Sequence, residues 1–226
     1  MINRIIISII IFAQAFSHAD NLYIPEIEAH YNFYYKNVKA GTMILKVKNK
    51  NNKIIASTIY NGNVLANLAG RGYREEISYL NLKDNKLYAE KYIFKDTKDN
   101  YEIIFNRNHA KVIKKDSSFD LKASSEIYDP IAMMLVLMFQ FSEAQQSYNV
   151  VSKKNLKIYD YIYKKNFSML VNNKKYTGYS AEYINDYKHN FFFFSEDHKN
   201  LLVYNSIKKN EKENLRIELI DIKKLN

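Results

Sequence analysis

From residue 27 the chain alternates. Ile27, Ala29, Tyr31, Phe33 and Tyr35 fall on one set of positions, and Glu28, His30, Asn32, Tyr34 and Lys36 fall between them. Residues two apart share one face of a strand, so a period of two predicts a half-buried β-strand. Met43, Leu45 and Val47 repeat the pattern over 42–48. It returns over 53–60, 73–82, 86–94, 101–106 and 110–114, and again over 156–163, 167–171, 176–184, 190–195, 201–207 and 215–222. Short polar segments at 48–52, 83–85, 96–100 and 106–108 separate the early runs. Strands joined by such turns predict an antiparallel meander. The 20 Tyr and 13 Phe suit it, because aromatic side chains favour a pleated surface with one wet face.

Two stretches break the rhythm. Asn63 to Ala69, closed by Gly70, reads as a short helical turn with a glycine stop. The second is a stronger helix signal. Asp129 is a good N-cap, Pro130 suits the first helical position, and of the eleven residues 131–141 only Gln140 is polar. A helix apolar nearly all round must be buried. Carried on through Ser142-Glu143-Ala144, it would run about 24 Å, too short to span a bilayer comfortably.

No Pro-, Gly- or Ser-rich linker divides the chain, so residues 20–226 read as one domain. The expected fold is mostly β: a single curved antiparallel sheet, or incomplete barrel, of about twelve strands with one buried helix near the middle of the chain.

Residues 1–19 stand apart. Arg4 closes a short basic start, and 5–16 form an apolar stretch of about twelve residues, the length of a signal-peptide core. Ser17 and Ala19 place small residues at a cleavage site, so the expected leader is removed after Ala19. Export to the periplasm is the expected address. With no cysteine, disulfides, thiolate metal sites, a cysteine nucleophile and a lipoprotein anchor are all excluded. Apolar residues at 47% exclude a wholly disordered chain, and 5 Gly with 2 Pro exclude a collagen-like one. The formal charge of +10 comes from scattered lysines, among them Lys36, Lys39 and Lys46. This reads as a solvated surface, with an anionic membrane surface as the partner it would suit and no nucleic acid.

Catalytic chemistry is hard to find. His30, His109, His189 and His198 form no metal-ligand spacing, so no metal and no cofactor is expected. There is no GxSxG elbow and no SxxK motif. Gly70-Arg71-Gly72 is too short for a phosphate loop. Glu75 and Glu76 would point to opposite faces of a strand, and Asp129 is better used as a cap than as an acid paired with Glu126. Arg71, Arg74 and Glu75 read as an exposed cross-strand ion-pair group. No catalytic residue is therefore expected.

What remains is apolar. Met133, Met134 and Met138 sit on the predicted helix beside Phe139 and Phe141. Methionine is soft and unbranched and recurs on surfaces that accept varied apolar partners. These five residues are the candidate ligand-binding set, with plain core packing as the simpler reading. In 190–194, Phe191 and Phe193 would face one way and Phe192 and Phe194 the other, as in a central strand buried on both sides or an exposed patch that binds something.

Three blocks resemble a known family. Ile24-Pro25 is followed by a Tyr31-x-Phe-Tyr-Tyr-Lys-x-x-Lys-x-Gly41 block; Arg71-Gly72-Tyr73-Arg74-Glu75-Glu76 comes next; Tyr128-Asp129-Pro130-Ile131-Ala132 opens the apolar helix. Together they resemble the exported bacterial proteins of domain-of-unknown-function family 3108. The Trp and Pro that members often carry near the C-terminal hairpin are missing from 190–195 and 201–204. The resemblance implies a curved antiparallel sheet, similar to the half-barrel carriers that ferry lipoproteins across the periplasm, and implies no catalytic residues. The expected function is thus a soluble periplasmic binding or carrier protein, not an enzyme, holding a lipid or an acylated protein's chain in the concave face. The alternative is a non-enzymatic envelope scaffold with a fully packed core.

Overall fold

The computed structural model describes residues 22–68, 72–141, 145–153 and 155–226. The expected leader at 1–19, the Gly70 stop, Arg71 and Ser142-Glu143-Ala144 lie outside the described residues.

In chain order the first half holds β1 (Ile27–Tyr35), β2 (Val38–Lys50), β3 (Lys53–Gly62), α1 (Val64–Leu68), β4 (Tyr73–Lys83), β5 (Lys86–Asp96), β6 (Asn100–Asn106), β7 (His109–Lys114) and β8 (Ser117–Lys122). Then come β9 (Ile127–Tyr128), α2 (Pro130–Phe139), β10 (Gln146–Ser152), β11 (Asn155–Val171), β12 (Lys174–Asn185), β13 (Lys188–Ser195), β14 (Leu201–Lys209) and β15 (Lys212–Leu225). All fifteen strands join one sheet in the order β8-β7-β6-β5-β4-β3-β2-β1-β15-β14-β13-β12-β11-β10-β9. Two meanders therefore meet where β1 pairs antiparallel with β15, Tyr31 opposite Leu219. The sheet is not closed: β8 and β9 are its edges.

Turn chemistry explains the meander. At Lys36-Asn37, Asn51-Asn52, Asp84-Asn85, Asn172-Asn173 and Asn210-Glu211 both linking residues have positive φ, between 47° and 66°. Two-residue hairpin loops need that left-handed pair to match the strand twist, and asparagine tolerates it best after glycine. A chain with 5 Gly makes its tight turns largely from asparagine.

The strand count exceeds the expected twelve, and the miss has three sources. β8 is polar at Ser117, Ser118, Asp120 and Lys122 and has only Phe119 and Leu121 to mark an apolar face. β9 is two residues long. β10 buries four consecutive residues, Tyr148 to Val151, so it does not alternate. In the other direction, the runs at 156–163 and 167–171 are one strand, β11, with an irregularity between Lys164 and Phe167. The sheet is also not wholly antiparallel, because β9 runs parallel to β10.

Helix α2 is where the pattern placed it, but shorter: ten residues, about 15 Å. Asp129 Oδ1 accepts from Ile131 N and Ala132 N, both at 2.9 Å, satisfying two orphan donors of the first turn. The helix stops because Gln140 is diverted. Its side-chain amide donates to Asn85 O at 2.8 Å, in the β4–β5 turn. Phe141 then leaves the helix to meet the rings of Tyr163 and Tyr179 edge-on. Ile131, Ala132, Met133 and every residue from Leu135 to Phe139 are buried, so the helix is sheltered as expected.

That shelter requires a bend. Helix α2 contacts β3, β4 and β5 as well as β9 and β10. β4 and β10 are nine places apart in the sheet; at about 4.8 Å per strand, a flat sheet would hold them roughly 43 Å apart. A helix about 10–12 Å across touches both only if the sheet wraps around it. Tyr179 on β12 reaches in from a third direction, its hydroxyl in donating range of Met138 O at 2.5 Å and Leu137 O at 3.1 Å. Across the mouth of the bend, Lys153 N donates to the Tyr101 hydroxyl at 3.1 Å.

Candidate functional site

The space between helix and sheet is filled along most of α2, where Leu135, Leu137 and Met138 are fully buried. It opens beside the first turns. There a cleft of about 340 Å³ lies between the helix and strands β10, β11 and β13. Pro130, Met133 and Met134 form its helical wall; Val150, Tyr159, Tyr161 and Phe192 form its sheet wall. Polar atoms come from Ser152, Asn155 and Asn190, and charge from Lys153, Lys157 and Lys188.

Strand periodicity puts these groups on one wall. Val150 pairs with Lys157 across β10 and β11, so both side chains share a face, and Tyr159 and Tyr161 follow at steps of two. On β13 the same step carries Lys188, Asn190 and Phe192. The rings interlock: Tyr161 meets Phe192 edge-on at 6.0 Å, and Tyr159 meets Tyr183 edge-on at 4.8 Å. Burial raises the phenol pKa of both Tyr159 and Tyr161. They stay neutral and present ring faces rather than charge.

The three lysines differ in what neutralises them. Lys153 Nζ lies 3.5 Å from Asp99 Oδ2 in the β5–β6 turn. Lys188 Nζ stacks over the Tyr159 ring at 5.4 Å, a cation–π contact that leaves its charge intact. Its ammonium pKa is lowered, first by burial and then by the like charges of Lys157 and Lys209. Lys157 is exposed at the rim. None of the described residues that line the cleft is acidic.

Of the five residues picked from the sequence, Met133 and Met134 line this cleft. Met138 and Phe139 are buried in the core, and Phe141 sits between Tyr163 and Tyr179 beyond the end of the helix. The aromatic and lysine side of the cleft was missed. Its signal was present in Lys157, Tyr159 and Tyr161, two apart on one strand, but β13 brings its share from some thirty residues later.

A second polar group lies behind the N-terminus of α2. Asp129 is fully buried, and its Oδ2 accepts from the Ser78 hydroxyl at 2.7 Å. Burial pushes its carboxyl pKa up to about 7, against the pull of the donors at Ala132, Ser78 and Ile131. Glu76, two residues before Ser78, is 6% exposed and pairs with Arg74 Nε at 2.9 Å. The guanidinium also stacks on the Tyr60 ring at 4.0 Å. This corrects the expected exposed cross-strand pair: Arg74, its side chain 40% exposed, engages the buried Glu76 on its own strand, whereas Glu75 lies 4.0 Å from Lys95.

The histidines are dispersed. His189 meets Glu182 at 3.1 Å and His30 meets Glu28 at 3.3 Å. Among the described residues no three His, Asp or Glu side chains gather closely enough to hold a metal. Ser195 Oγ lies 3.0 Å from His198 Nδ1. Ser195 is fully buried, however, and the other ring nitrogen faces Lys174 Nζ at 3.5 Å, where a triad would place a carboxylate. The pair belongs to the 3-10 turn Glu196–His198.

Family models, curated proteins and solved structures were compared with the chain, and none of them matches.

Proposed function

We propose that this chain is a non-enzymatic binding protein of the bacterial envelope, an incomplete barrel that holds an apolar ligand in the cleft beside α2. The observation that carries this reading is the cleft itself. Its volume of about 340 Å³ lies at the lower end of the range that small-molecule sites occupy, about 300–1,000 Å³. About half of its wall is apolar and aromatic, with methionines from the helix, and the other half is polar or cationic. A lipid or an acylated protein's chain fits such walls. The leader expected at 1–19 supports a periplasmic setting.

The test is direct. Delipidated protein is incubated with envelope extract, re-isolated and analysed by native mass spectrometry. Recovery of a bound amphiphile, reduced in Met134→Glu, supports the reading. Recovery of none removes it.

The scaffold reading draws on one observation, the open edge at β8, beside which no strand lies among the described residues. With the basic rim as the docking surface in place of that edge, charge reversal at Lys36, Lys39 and Lys46 should abolish partner capture without unfolding the protein.

A further inference from the structure

The cleft sets an apolar patch, Met133, Met134 and Phe192, beside a cationic rim, and that combination restricts what enters. We infer that the cleft selects a single-chain amphiphile with an anionic headgroup, the tail against Met133, Met134 and Phe192 and the headgroup between Lys157 and Lys188. This rests on the binding reading above and names the ligand class for the same site.

Three observations support it. First, the lysines gather without a counter-charge: no acidic residue lines the cleft among the described residues, and Asp99 engages Lys153 alone of the three. Second, Lys188 is held by an aromatic face rather than by a carboxylate, so its hydrogen-bond donors remain available. Third, Lys157 and Lys209 bear on Lys188 as like charges. Like charges this close repel, and an anion placed among them would relieve that repulsion. A neutral alcohol of the same chain would leave it standing. The volume suits one alkyl chain rather than two.

The chemistry common to a fatty acid and a phosphorylated lipid fragment is a negative oxygen headgroup on an alkyl tail. The full chain, delipidated, is titrated with dodecanoate, dodecyl phosphate and dodecanol below their aggregation thresholds, followed by calorimetry. We expect at least one anion to bind tenfold or more tightly than dodecanol. In Lys157→Met/Lys188→Met, which keeps the apolar stems, the anions should fall to the level of dodecanol while dodecanol is unchanged. On the wild-type protein, raising NaCl to 0.5 M should shrink the anion preference at least threefold, a reading that does not depend on the variant folding. Equal affinity for anions and alcohol, or a preference that survives both the double variant and salt, overturns the headgroup inference and leaves the binding reading in place. If all three probes fail to bind, the binding reading falls with it.

Discussion

Asp129 ties the stability of the fold to pH. Its carboxyl caps α2 from a fully buried position, and burial moves its pKa from 3.8 to about 7. A carboxyl raised on folding takes up a proton as the chain folds. Below about pH 4 it is neutral in both states and costs nothing. As pH rises from 4 to 7 the unfolded chain ionises first, so stability is lost through that window and stays low above it. Three pKa units correspond to about 4 kcal/mol in full, of which about 2–3 kcal/mol falls between pH 5 and pH 8. Asp129→Asn isolates the effect. The amide oxygen still accepts from Ile131 N and Ala132 N, and its NH₂ replaces the proton of the neutral acid toward Ser78 Oγ. Urea unfolding at pH 5 and pH 8, followed by circular dichroism, gives the answer. With a urea m value of about 3 kcal/mol per M, the wild-type midpoint should drop by roughly 1 M between the two pH values. The Asn variant should drop much less and be the more stable protein at pH 8. Parallel losses in the two proteins would refute the argument, because the titrating group would then lie elsewhere.

Three further outcomes follow from packing. Leu135→Ala empties part of a fully buried helix position and should cost about 2–5 kcal/mol in the same assay, the range for cavities that cannot collapse. Gly178→Ala should cost about 1–3 kcal/mol, because a Cβ there would sit 1.9 Å from Phe194 O and the strands must part to admit it. Tyr179→Phe removes the donor to the Met138 and Leu137 carbonyls and should cost about 1 kcal/mol, read as a lowered Tm, with the helical signal retained.

The sequence by itself determined the local elements. Period-two runs become strands because a pleat alternates its side chains, and asparagine pairs become hairpin turns because they tolerate positive φ. Asp129-Pro130 before an apolar run becomes a capped, buried helix for reasons contained in its own first turn. The tertiary structure decided everything that depends on partners. A period of two says which residues share a face but not which strand lies alongside, so the β1–β15 pairing, made across nearly the whole chain, was not legible. The burial of Glu76 under Arg74 was hidden for a related reason: a carboxylate reads as surface until a guanidinium stacked on an aromatic ring covers it. The cleft is the clearest case. Met133 and Met134 were visible on their helix, but Lys157 and Lys188 gain meaning only when the sheet wraps and brings β11 and β13 to the same opening, because charge and apolar surface act through distance in space rather than along the chain.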